Sequence, residues 1–143
     1  GTELGMFDLG ELTPVLALDA AGTTIAVVTY NVESASQAIQ LIDMASLTVS
    51  GSIAVPAGSI AGVAFSPDGS LIAVSNSLFD DAQGGWASAL RFYDRSSGTE
   101  VFSVPFNSGV GTVSFSPDGT LLALMYEDPL FWGPNRATLW AVQ

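Results

Sequence analysis

One run of eleven residues occurs twice in this chain. Val63-Ala64-Phe65-Ser66-Pro67-Asp68-Gly69-Ser70-Leu71-Ile72-Ala73 returns as Val113-Ser114-Phe115-Ser116-Pro117-Asp118-Gly119-Thr120-Leu121-Leu122-Ala123. A weaker third copy precedes both, Leu16-Ala17-Leu18-Asp19-Ala20-Ala21-Gly22-Thr23-Thr24-Ile25-Ala26. The glycines at 22, 69 and 119 set the copies 47 and 50 residues apart. Self-similarity at such a period marks a repeat architecture, because one unit cannot bury its apolar faces alone and must stack on its neighbours.

Each unit reads as an antiparallel meander of strands. In the second copy, residues 60–65 alternate apolar and small side chains, as a strand does. Ser66-Pro67-Asp68-Gly69 then reverses the chain: proline presets one turn angle, aspartate bonds back to the main chain, and glycine accepts positive φ. Residues 71–75 return as a second strand, and a loop over 76–87 leads to a third at 89–94. Arg95-Ser96-Ser97-Gly98 turns into a fourth at 100–106. The third copy gives strands at 112–116, 121–126 and 137–142, with no fourth; the first gives 14–18, 25–30, 38–43 and 48–55. Residues 37–44 could be argued as a helical turn, but their register with 90–94 favours a strand.

The Phe-Ser-Pro-Asp-Gly turns at 65–69 and 115–119 resemble the WD40-type β-propeller family. So do the third-strand endings Phe92-Tyr93-Asp94, Leu41-Ile42-Asp43 and Leu139-Trp140, and the resemblance runs from about residue 13 to 142. It implies an all-β fold of about three blades, at 13–56, 59–106 and 109–143. The histidine of the family's Gly-His pair and the literal Trp-Asp dipeptide are absent, as in the divergent blades common in bacterial sequences. Propellers typically use four to eight blades. Three therefore imply a partial ring, belonging to a longer chain or a larger complex, or half of an oligomeric ring. Residues 5–10, with Met6-Phe7-Asp8-Leu9, have the character of an outer strand completing another blade. Two copies would then close as a six-bladed homodimer, each copy's first strand completing the other's last blade.

Composition narrows the chemistry. The chain is 48% hydrophobic and only 12% charged, too apolar and too periodic for a solvating tail. Its net charge of −11 sets 14 acids against Arg91, Arg95 and Arg136. Such a surface repels phosphate backbones, so no nucleic-acid partner is expected. Cysteine and histidine are absent, which excludes disulfides, thiolate catalysis, zinc sites of the usual kind and a histidine-based triad. No cofactor or metal is expected. No apolar run approaches the ~20 residues of a membrane helix, so no direct membrane span is expected. The acidic, lysine-free surface leans towards a bacterial protein outside the cytoplasm.

Two loops between second and third strands are long and carry the candidate site. One spans Ser77 to Trp86 and holds Phe79, Asp80, Asp81 and Trp86; the other holds Glu127, Asp128, Phe131 and Trp132. Each pairs two acids with two large aromatics, and loops carry function more often than strands do. One reading is a protein-docking rim in which the aromatics anchor a partner and the acids select a basic patch on it. The plainer reading is that the aromatics fold back to cap their own blades. Calcium at these acid pairs would need six to eight oxygens, and neither loop has the ordered run of alternating acids for it. Asp68 and Asp118 read as turn residues, Arg91 as the partner of a neighbouring acid, and Trp140, Tyr93 and Phe7 as packing between blades. The function expected is a non-catalytic protein–protein interaction scaffold. The alternatives are a structural subunit docked permanently in a larger complex, and a hydrolase using loop carboxylates, for which no motif is present.

Overall fold

The computed structural model describes residues 1–3, 6, 12–31, 36–81, 84–126 and 136–142, with the backbone alone at 12–14, 79, 80 and 86. The expected outer strand at 5–10 therefore lies, apart from Met6, outside the described residues.

Every described element is a strand, and every pairing is antiparallel. The first sheet runs in chain order through β1 (Leu12–Leu18), β2 (Thr24–Asn31), β3 (Ser36–Asp43) and β4 (Thr48–Val55). Residues 37–44 thus contribute strand, not a helical turn, and Ile39 pairs with both Val28 and Ile53. β5 (Ser59–Phe65) and β6 (Leu71–Ser77) open the second sheet. The loop after β6 contains a small ladder of its own, β7 (Phe79–Asp80) against β8 (Gly85–Trp86), turned with the help of Gly84 at φ +64. β9 (Ser88–Asp94) and β10 (Glu100–Phe106) complete that sheet in the order β10-β9-β6-β5. β11 (Val110–Phe115), β12 (Leu121–Tyr126) and β13 (Arg136–Ala141) form the third, three-stranded among the described residues.

The first strands β1, β5 and β11 stand side by side, so the three sheets stack face to face. Strand alternation then sends every second residue into an inter-sheet core. Between the first and second sheets lie Val28, Ile39, Leu41, Ile53, Val63, Phe65, Ile72, Val74 and Tyr93. Between the second and third lie Ala73, Leu90, Val110, Val113, Leu122 and Leu124. The expected inter-sheet role of Tyr93 and Trp140 matches this: Tyr93 is buried, and Trp140 meets Phe106 edge to face at 6.0 Å. Phe7 lies outside the described residues.

The turns between first and second strands follow the local chemistry. Ser66 donates through Oγ to Asp68 Oδ1 at 2.6 Å and accepts from Leu71 N at 2.9 Å, while Asp68 accepts from Ser70 N. Ser116, Asp118 and Thr120 repeat this arrangement at the third turn. Gly69 and Gly119 take φ +72 and +73. At the first turn one carboxylate does both jobs. Asp19 stands where the others have serine and accepts from Thr23 N at 2.8 Å and Thr24 N at 3.0 Å. Burial alone would raise its pKa, but those two N–H groups, the Thr23 hydroxyl and the Arg95 charge outweigh that and hold it below the usual carboxylate value.

Candidate interaction surfaces

The long loop of the second sheet brings Phe79 and Trp86 together as paired residues of the β7–β8 ladder, with Asp80 opposite Gly85. Ala87 N donates to Leu78 O at 2.7 Å and closes the stem. Asp81 is exposed at the tip. The side chains of Phe79, Asp80 and Trp86 lie outside the described residues, and so do Glu127, Asp128, Phe131 and Trp132 entirely. Among the described residues, no group of three or more acidic side chains is gathered to hold a metal ion.

A second surface is a cleft of about 260 Å³ between the second and third sheets. Its walls are almost wholly apolar: Leu90, Phe92, Phe102 and Val104 from one side, Leu122 and Trp140 from the other. The cause is visible by comparing equivalent positions. Ile53 on β4 pairs with Ile39, as Val104 on β10 pairs with Leu90. Ile53 is 2% exposed, and a Cβ on Gly98, in the turn before β10, would lie 3.5 Å from its Cγ1. Val104 is only half-buried and Phe102 beside it is 61% exposed, because among the described residues no fourth strand follows β13. The same absence leaves β13 with a sheet neighbour on one side only among those residues. An unpaired strand edge presents a row of N–H and C=O groups ready to pair with another strand.

The third surface is the pair of sheet faces at the two ends of the stack. Leu16, Leu18 and Val49 are exposed on the first sheet, and Leu121, Met125 and Leu139 on the third. Arg91, by contrast, is engaged as expected, with Nη1 2.9 Å from Glu100 Oε2. That pair is partly solvated and contributes little to stability.

No family model matches the sequence, and no curated protein matches it either. Among solved structures, the β-propeller domain of Myceliophteria thermophila Cps50 (Swd1) is similar, with a TM-score of 0.61 at 12% identity over 90% of this chain. The fold is that of β-propeller blades. The three sheets are three blades, and the chain spans 38% of the length of that solved propeller. At this identity the likeness is one of fold alone.

Of these surfaces, sequence reasoning marked the loops and missed the cleft. Its signal was present in two separate facts: the third copy stops at three strands, and Phe102 and Val104 alternate on the strand before it.

Proposed function

We propose that this chain is a non-catalytic protein-interaction scaffold made of divergent WD40-like blades, and that the cleft beside β13 is its docking site. The observation that carries the reading is the incomplete burial of Val104, with Phe102 exposed beside it, where the equivalent Ile53 is 2% exposed against the four-stranded second blade. The occupant is an extended segment of a partner protein that joins β13 as a fourth strand. It runs antiparallel to β13, as β4 and β10 run to β3 and β9. Main-chain hydrogen bonds to the open edge give affinity, and apolar side chains at alternate positions enter the cleft and give selectivity. A propeller rim supplies a second contact, with Phe79, Trp86, Phe131 and Trp132 as anchors and Asp80, Asp81, Glu127 and Asp128 favouring a basic partner. Rigid blades lower the ordering cost of binding.

A fluorescently labelled peptide with the sequence of β10, Glu-Val-Phe-Ser-Val-Pro-Phe, tests the cleft by anisotropy. Saturable binding that Phe102→Ser weakens about tenfold or more is expected; a folded protein that leaves the peptide free would sink the reading. For the rim, alanine at Phe131 and Trp132 is expected to abolish partner capture with Tm unchanged. A lowered Tm with capture intact would mean that these rings cap their own blade.

A further inference from the structure

We infer that a cavity of about 230 Å³, between the turns that join first and second strands in the second and third blades, binds a guanidinium group. Boundaries repeat with the blades, so one boundary shows what belongs at the next. Main-chain bonds fix the correspondence. Arg95 N donates to Ser70 O as Val142 N donates to Thr120 O, each at 2.9 Å, so Val142 stands where Arg95 stands one blade earlier. Asp19 N donates to Thr24 O as Ser66 N donates to Leu71 O, so Ser66 takes the place of Asp19 and Leu71 that of Thr24.

At the boundary between the first and second blades the Arg95 guanidinium fills this place. It bonds to Asp19 and Thr24, lies 3.5 Å from Gly69 O and stands over the Phe65 ring. One boundary on, the equivalents of those four residues and of Arg95 itself all line the cavity: Ser66, Leu71, Gly119, Phe115 and Val142. Valine carries no charge and is too short to reach across. The ring remains and the cation is missing.

The chemistry of the cavity still suits a cation. The negative charge has moved rather than gone, since Asp68 and Asp118 line the cavity where the first boundary has Asp19. Hydrogen bonds from the serine hydroxyls of their own turns hold both carboxyls below the usual value, so both are charged near neutrality. In the third blade the Ser116 hydroxyl, the Thr120 hydroxyl and Thr120 N all bond to Asp118 Oδ1, and none of them to Oδ2. A planar guanidinium can lie on Phe115 as Arg95 lies on Phe65, with its edge turned to these oxygens. No basic residue of this sequence fills the place. Lysine is absent, Arg91 pairs with Glu100, Arg95 pairs with Asp19, and Arg136 lies at the end of β13 away from the cavity. The cavity adjoins the apolar cleft and shares Leu71 and Val142 with it, but a guanidinium enters with or without a strand on β13.

Amide NMR shifts of the isotope-labelled protein test the site, with ethylguanidinium as the probe and ethylurea as its uncharged counterpart. Ethylguanidinium is expected to give saturable shifts confined to residues 66–71 and 116–120, and ethylurea none. Asp118→Asn keeps an Oδ1 acceptor for the turn and should weaken binding by about twofold to fivefold. Val142→Arg should abolish it and raise Tm, because the chain then fills the cavity from the position equivalent to Arg95. End-blocked Gly-Arg-Gly separates the sources: tighter binding than ethylguanidinium assigns an arginine of a partner protein, equal binding a free guanidinium compound, and both uphold the site. Equal shifts from ethylurea, shifts that never saturate, or undiminished binding in either variant would overturn the proposal.

Discussion

Arg95 reaches from the second blade into the first, where its Nη1 lies 3.3 Å from Asp19 Oδ2 and its Nη2 2.6 Å from Thr24 Oγ1. The guanidinium also stands 5.2 Å from the centre of the Phe65 ring, on β5 of its own blade in the core between the two. Asp19 is thus the closing group of one turn and the anchor of the neighbouring blade. The other two turns split the first task between a serine and an aspartate two residues on, and lack the second.

Removing that carboxylate should therefore cost more than changing its form. Asp19→Ala leaves the buried N–H of Thr24 without an acceptor, and a cost of about 1–3 kcal/mol is expected. The double variant Asp19→Ser with Ala21→Asp rebuilds the Ser-x-Asp turn of the later repeats and should recover most of the loss. Urea unfolding followed by tryptophan fluorescence checks both. If the double variant is no more stable than Asp19→Ala, the equivalence of the turns is wrong.

Acid should act through the turn aspartates. Asp94 is held down to about 2, first by the Ser96 hydroxyl and then by the Ser97 N–H and hydroxyl. A depressed folded pKa contributes stability that is whole above the unfolded value, 3.8, and is lost as pH falls through the folded one. The stability advantage of wild type over Asp94→Asn should accordingly be constant near neutrality and shrink between about pH 4 and pH 2. Unfolding free energies of the two proteins across that range decide it, and an advantage that grows on acidification would contradict the assignment. Taking the difference cancels the self-repulsion of the other acids in a chain of net charge −11.

The first of these features could not be found by reading along the chain. Ser66-Pro67-Asp68-Gly69 is legible because all its chemistry is local: each group bonds within five residues of itself. Asp19 looks like a degenerate copy of that turn, since its carboxylate has moved two positions. Its partner Arg95 lies 76 residues away, on another blade. That the third repeat gives three strands, with none after β13 among the described residues, was likewise legible as a count. That Phe102 would face the gap depends on the register shift between Glu100 and Phe102 and on the stacking of blades, neither of which the strand pattern encodes. The long loops stood out by their aromatics, but composition marks a loop without aiming its side chains.

Leu47 offers a test of local strain. It takes φ +53 in the turn between β3 and β4, where the second blade has Gly98 at φ +68. The bonds are the same in both: Leu47 N donates to Asp43 O, and Gly98 N to Asp94 O, each at 2.9 Å. A left-handed conformation costs a residue with a Cβ about 1–2 kcal/mol, and glycine escapes it while losing more chain entropy on folding. Leu47→Gly is expected to raise stability by about 0.5–1 kcal/mol, seen as a higher midpoint in thermal unfolding. A lower midpoint would show that the leucine side chain earns its place by packing.

A close approach between the second and third blades predicts a cost at a glycine with unremarkable φ. A Cβ on Gly62 would lie 2.8 Å from Val113 N and 3.0 Å from both Thr112 Cα and Ser75 Oγ. Two of those three are backbone atoms of β11, which cannot swing aside. They are also held where they are: Val110 N donates to Ser77 Oγ at 2.8 Å, and Ser75 donates to Gly111 O. Gly62→Ala must therefore push the first strands of two blades apart, at about 1–3 kcal/mol as overpacking does. Gly51 on β4 is the control, since a Cβ there would meet only the Leu41 side chain at an ordinary 3.5 Å. Gly51→Ala should be neutral or slightly stabilising through its lower unfolded-state entropy. Paired thermal melts of the two variants separate the cases, and equal effects would mean that the contact between β5 and β11 is not what holds these blades together.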